Sequence, residues 1–168
     1  MIYNPAMDQL ESLNASIFAT GLQLVSRAWR ARTDAALAEL GVSTTQAFPI
    51  SAVHRLGGGV RQHALAAALG IEGPSLVRTL DKLGAAGLLE RRDDSADRRA
   101  KTLHLTEDGA KLARAIETVV ANVRNELLAG VEAEDLAAAV RVLQTVARTT
   151  GVVITPIGLD DPEAAVGA

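Results

Sequence analysis

Residues 62–83 read QHALAAALGIEGPSLVRTLDKL. Gln62 to Leu69 is rich in Ala and Leu, the strongest helix formers, and predicts a short helix. Gly70 and Ile71 then turn the chain, and Gly70 suits the positive φ of a sharp turn. Pro74 fits the first turn of a second helix, where its missing N–H costs no hydrogen bond. Ala66 lets the two helices cross closely. Leu65, Leu69, Ile71, Leu76 and Leu80 can close a small core between them. The pattern is a helix-turn-helix. Its outer face carries Ser75, Arg78, Thr79 and Lys82, which suits a duplex-DNA surface. A plain αα-hairpin with a solvated polar face has the same pattern, and Lys82 fits either reading equally well.

Immediately downstream the period of the sequence changes from helical to alternating. Residues 88–92 (Leu-Leu-Glu-Arg-Arg) and 101–105 (Lys-Thr-Leu-His-Leu) read as short strands, with Leu103 and Leu105 alternating with Thr102 and His104. Between them lies the polar loop Asp93-Asp94-Ser95-Ala96-Asp97-Arg98-Arg99. A hairpin directly after the second helix of a helix-turn-helix is a wing, here over about 88–105. Two arginines at its tip suit a narrow, electronegative minor groove. The alternative is a charged tip whose Asp and Arg neutralise one another in solvent.

Working outward, Pro5 to Leu40 is one long helical pattern stopped by Gly41. One apolar stripe is Leu10, Leu13, Ile17, Leu24 and Ala28; another is Phe18, Leu22, Val25 and Trp29. The run is about three times the mean length of a globular helix. Two stripes imply packing on both sides, most simply against a second chain. Thr44 to Leu56 is the next helix, with Ser43 or Thr44 as N-cap and Gly57-Gly58-Gly59 as its end. No Lys-Ser/Thr follows the glycines and no strand precedes them, so they are not a phosphate loop. Thr106 caps a helix that runs to about Ala129, with Glu107 and Asp108 complementing its N-terminal dipole. Leu112, Ile116, Val119, Val123 and Leu127 are read as its inward face, and Gly130 as its end. A last helix, about Ala133 to Thr149, carries Leu136, Val140, Leu143 and Val146. The expected fold is mainly α with a small β-wing: a winged helix-turn-helix of six helices, dimerising through N- and C-terminal helices. The expected division is residues 1–41 for N-terminal dimerisation, 42–106 for the winged helix-turn-helix, 107–150 for C-terminal dimerisation, and a partly disordered tail at 151–168.

Composition narrows the function classes. The chain has 168 residues, no Cys and a net charge of −3, which excludes a disulfide scaffold and thiol chemistry. The aromatics are four, Tyr3, Phe18, Trp29 and Phe48, too few for a base-stacking platform on single strands. Residues 61–101 hold 8 Lys/Arg and 6 Asp/Glu, a balance of +2, while the rest holds 9 and 14, a balance of −5. A basic middle between acidic ends suits a polyanion met by the middle. No apolar run is long enough to span a membrane. Met1 to Glu11 carries Asp8 and Glu11 and no basic residue, unlike a signal peptide, so the cytoplasm is the expected location. No HExxH, GxSxG or Walker lysine is present, so no enzyme activity and no cofactor are expected. His54, His63 and His104 fall on three elements, and no metal site is expected.

Asp97-Arg98-Arg99, five further residues, then Leu105-Thr106 with Gly109 following, resembles the DxRxxxxxLT signature of MarR-family transcriptional regulators. The preceding GLLERRDD (Gly87 to Asp94) and the helix-turn-helix fit the same family, over about Leu10 to Thr150 by element order. The resemblance implies a homodimer that binds pseudo-palindromic double-stranded DNA, a repressor released by a small aromatic or anionic effector. It implies that Arg99 enters the minor groove, that Asp97 aligns it and that Arg98 meets phosphate. Ser75 and Arg78 then look like major-groove readers, with Thr79 and Lys82 nearer the rim. Arg can bridge guanine O6 and N7 with two hydrogen bonds, which singles out Arg78. Arg27, Trp29, Arg30, Phe48 and His54 lie near where such families place effectors, and an arginine there could pair with a carboxylate or phenolate. The same residues suit packing, Trp29 as dimer core and Arg30 as an intersubunit ion pair. The alternative function is a winged-helix protein-interaction module that no longer binds DNA.

Overall fold

The computed structural model describes residues 5–71, 73–94 and 100–154. Helix α1 spans Pro5–Leu37 and tightens into one 3-10 turn at Ala38–Leu40, where the sequence pattern ran on as regular helix. Gly41 ends it at φ 71°, its N–H donating to the Ala38 carbonyl. Helix α2 spans Thr44–Arg55 with Ser43 as N-cap. The Ser43 N–H donates to Gln46 Oε1 at 3.3 Å, and the Thr44 N–H donates to Asp34 Oδ1 at 2.6 Å. A carboxylate on α1 therefore holds the first turn of α2, where the helix dipole favours a negative charge.

Strand β1 is Val60–Arg61, followed without a break by α3, Gln62–Leu69, and then by α4, Gly73–Ala85. Gly70 sits at φ 60° between the two helices, as the turn requires, and the Ile71 N–H donates back to Ala66. Strands β2, Leu89–Asp93, and β3, Lys101–Leu105, form the hairpin, one residue further along on the first strand than the sequence suggests. Helices α5, Glu107–Leu127, and α6, Ala133–Thr150, complete the order.

The sheet has three antiparallel strands in the order β1-β3-β2, with Arg61 opposite Thr102 and Arg91 opposite Leu103. A two-residue strand has no alternation to detect, so β1 was not expected. Gly57, Gly58 and Gly59 make it possible: all three adopt positive φ, and the Gly59 N–H donates to the Leu103 carbonyl. The core lies between the helix-turn-helix and its supports. Leu65, Leu76, Leu80 and Leu83 are buried with Ala47, Ile50 and Val53 of α2, Leu89 and Leu103 of the sheet, and Ala113 and Ile116 of α5.

The helices at the chain's two ends are different. Leu10 and Ile17 on α1 are 58% and 61% exposed, and α6 buries none of its residues. Leu127, read as inward, is 39% exposed instead. Helix α5 outruns the core beyond Val123, its last buried residue.

Thr106 and Gly109 anchor α5 to the sheet. Thr106 Oγ1 accepts the Gly109 N–H at 3.0 Å and donates to the Gly87 carbonyl at 2.7 Å, while the Thr106 N–H donates to the Leu88 carbonyl. A Cβ on Gly109 would lie 1.9 Å from that Leu88 carbonyl oxygen. Gly109→Ala is therefore expected to destabilise the chain by about 1–3 kcal/mol through overpacking. Gly84→Ala, where a Cβ makes an ordinary 3.6 Å contact, is expected to be neutral or slightly stabilising. Thermal unfolding of both variants checks the opposite signs.

Candidate nucleic-acid interface

The apolar spacing of α4 aims the helix. Leu76, Leu80 and Leu83 occupy one face and are buried, which turns Ser75, Arg78 and Lys82 outward and leaves Thr79 half-buried. The Thr79 hydroxyl donates to the Ser75 carbonyl at 3.2 Å, a bond within the helix itself. Arg78 is exposed one turn into the helix. Asp81 also stands exposed on α4, and Arg91 of β2 donates to its Oδ1 at 2.7 Å. An unpaired carboxylate there would repel phosphate; the strand's arginine neutralises it. Sequence reading passed over both residues, because they are ten apart and belong to different elements.

Asp97, Arg98 and Arg99 lie outside the described residues. The stem that carries them is described. The Asp94 N–H donates to the Ala100 carbonyl at 3.1 Å, Lys101 pairs with Asp93, and Arg61 Nε donates to Asp94 Oδ2 at 2.7 Å. Arg92 pairs with Glu90 on the same strand.

The five effector candidates do not gather in one place. Arg27 and Arg30 stand exposed on α1, Trp29 is half-buried there with its carbonyl accepting from Thr33 Oγ1, and Phe48 packs against the core. His54 lines a cavity of about 350 Å³ with Val53, Gly57, Gly58, Arg92, His104 and Leu105. Arg92 and His104 were not singled out for this role, since they lie on adjacent strands, two register positions apart and far in sequence from the end of α2. A second polar group missed by the sequence lies between α2 and α5. Burial pushes the Arg55 guanidinium below its ordinary pKa, and Glu117 opposes that shift. One Glu117 carboxylate oxygen on α5, and separately Ser51 Oγ on α2, are buried without a hydrogen-bond partner among the described residues. Among the described residues no three His, Asp or Glu side chains gather as metal ligands. No helix among them is long and apolar enough to cross a membrane.

A model of the MarR family matches residues 40–100, the span from the turn after α1 through the wing loop. The crystal structure of the transcriptional regulator PA3341 superposes with a TM-score of 0.73 at 36% sequence identity, covering 80% of this chain and 98% of that one. The chain belongs to the MarR family. Two further solved structures share the fold at lower identity. MepR from S. aureus, solved as a DNA complex, matches with a TM-score of 0.72 and 21% identity over 79% of this chain and 97% of its own. CouR from Rhodococcus jostii RHA1, solved bound to p-coumaroyl-CoA, matches with 0.69 and 21% identity over 82% and 95%. The MarR-family match ends at residue 100, and PA3341 extends the likeness to the flanking helices.

Proposed function

We propose that this MarR-family chain is a homodimeric regulator of transcription that binds pseudo-palindromic duplex DNA and represses until a small effector releases it. The observation that carries the reading is the exposed face of α4, with Ser75, Arg78 and Lys82 outward and the wing sheet beside it. In this reading Arg78 and Ser75 meet base edges in the major groove, Thr79 and Lys82 the rim, and Arg98 and Arg99 the backbone and minor groove, with Asp97 aligning Arg99. The exposed apolar residues of α1 and α6 supply the dimer contact, which leaves residues 42–106 as the DNA-binding region between dimerising ends. The site is then a binding surface rather than a catalytic one, and the chain acts in the cytoplasm beside its DNA.

Fluorescence anisotropy with duplexes drawn from the chain's own gene neighbourhood tests this. Retention whose logarithm falls linearly with log salt, by roughly 0.9 per phosphate neutralised, is expected. Salt-independent or absent retention of every duplex would favour the interaction module instead.

The effector reading takes its chemistry from two places: CouR, whose structure holds an acyl-CoA thioester, and the cavity at His54, Arg92 and His104. An aromatic or anionic ligand is the class to screen. Redox release by thiol chemistry is not expected, because the chain has no Cys and its two Met residues are Met1 and Met7. Sub-millimolar hydroperoxide is expected to leave DNA affinity unchanged in the same anisotropy assay.

A further inference from the structure

We infer that Asp94 is a positioning residue for DNA binding: through Arg61 it braces the stem of the wing, across the whole sheet, to the residue that leads into the helix-turn-helix. The inference rests on the DNA-binding reading above. Arg61 stands opposite Thr102 of β3, whereas Asp94 follows β2 on the other side of that strand. Arg92 is the residue directly across the sheet from Arg61, two strand spacings or about 10 Å away, and Asp94 lies two residues further along, so the gap is diagonal. The Arg61 side chain crosses that gap and places its Nε 2.7 Å from Asp94 Oδ2. The residue after Arg61 is Gln62, the first of α3. The Asp94 N–H closes the stem on Ala100, and the loop between them carries Arg98 and Arg99 in sequence. One end of the brace is therefore where the wing loop leaves the sheet, and the other is where the helix-turn-helix begins. β1 itself is joined to β3 by only two residue pairs, so the ladder alone holds this edge weakly.

Burial of its carboxylate separates this ion pair from its neighbours. Exposed pairs contribute little, and Arg91–Asp81, at 36% and 56% side-chain exposure, is of that kind. Here it is the carboxylate that differs: the Asp94 side chain is 11% exposed, while that of Arg61, at 39%, reaches solvent as Arg91 does. A carboxylate so far removed from water depends on its partners, and loss of the Arg61 cation favours turning it out to solvent or protonating it, which moves the stem. Arg91–Asp81 neutralises a charge, whereas Arg61–Asp94 sets a conformation.

The test turns on the sign of an effect. Asp94 is an anion beside a surface that meets a polyanion. If it acts as a charge alone, removing it strengthens DNA binding, because a repulsion disappears from each protomer. As a positioning residue, its removal weakens binding. The experiment uses the full-length protein and the tightest duplex selected from a randomised pool. Asp94→Ala is expected to bind about tenfold more weakly, with a salt slope shallower by roughly one to two units as the wing disengages. Asp94→Asn keeps an oxygen for the Arg61 N–H and is expected to fall between Asp94→Ala and wild type. Asp81→Ala is expected not to weaken binding. The double exchange Arg61→Asp with Asp94→Arg leaves the net charge as it was and is expected to recover most of the affinity that either single exchange loses. Hydrogen exchange of Asp94→Ala is expected to quicken at 91–94 and 100–103 while α3 and α4 keep their protection, which separates a loosened stem from an unfolded chain. Asp94→Ala binding as tightly as wild type or more so, a double exchange no better than the single ones, or exchange rates unchanged in the stem would overturn the inference. A wild-type chain that retains no duplex in a salt-dependent way overturns the DNA-binding reading, and the inference with it.

Discussion

Leu143→Glu is expected to leave a folded monomer near 17.5 kDa that no longer holds an operator. Leu136, Val140, Leu143 and Val146 are 36–44% exposed on α6, and together they fill one arc of that helix. At 100° per residue the arc is centred opposite Arg141. Helix α1 offers Leu10, Leu13, Ile17, Leu24 and Val25 at 55–61% exposure. A monomer does not leave two long helices with so much unpartnered apolar surface without a use for it. A two-fold interface places each substitution twice. A carboxylate buried without a partner costs about 2 kcal/mol or more per site, so two of them shift the dimer dissociation constant by on the order of a thousandfold. DNA binding goes with it, because one winged unit makes half the contacts and spans half the site. Arg141→Glu on the opposite face changes the charge more and is expected to leave the dimer intact. Sedimentation at micromolar concentration distinguishes the two: a dimeric Leu143→Glu chain would place the interface elsewhere.

How much of this was legible before the structure follows from the reach of each signal. The helix-turn-helix was readable because its information is local: Ala66, Gly70 and Pro74 each answer a backbone demand within a dozen residues, and α3 and α4 fall where those demands put them. The hairpin was readable from the alternation of Leu103 and Leu105 with Thr102 and His104. β1 was not, since two residues carry no period and its pairing with β3 spans more than forty positions. For the same reason the ion pairs Arg61–Asp94 and Arg91–Asp81 escaped notice: each joins elements whose spacing in sequence says nothing of their spacing in the sheet. Leu127 was misread because periodicity reports which face of a helix is apolar but not whether a neighbour covers that turn. The effector residues carry no local signal of this kind. Arg27, Trp29, Arg30, Phe48 and His54 were grouped by proximity along two helices, and the structure disperses them among solvent, core and cavity.

Arg78 and Arg99 are expected to fail in different ways when replaced. Arg78 is exposed on α4, one turn in, where its guanidinium can meet a guanine edge with two hydrogen bonds. Arg78→Ala is expected to cost about 1–3 kcal/mol per half-site and to flatten base preference at one position, since the loss falls on operators that carry the matching base. Lys cannot repair this, because it presents a point charge in place of a planar fork. Arg99 lies outside the described residues, and the sequence sets it beside Asp97 in the wing loop. A minor-groove arginine senses groove width and phosphate potential more than base identity. Arg99→Ala is therefore expected to weaken operator and variant sites together, with a salt slope lower by roughly one unit per protomer and two per dimer. Asp97→Ala is expected to give a milder form of the same defect, because the cation remains but loses its alignment. A binding series over salt, on the operator and its single-base variants, reads both effects at once. If Arg99→Ala altered preference at one base while Arg78→Ala weakened every site alike, the two roles would be exchanged. If neither changed duplex binding, the exposed face of α4 would not be the DNA-reading surface.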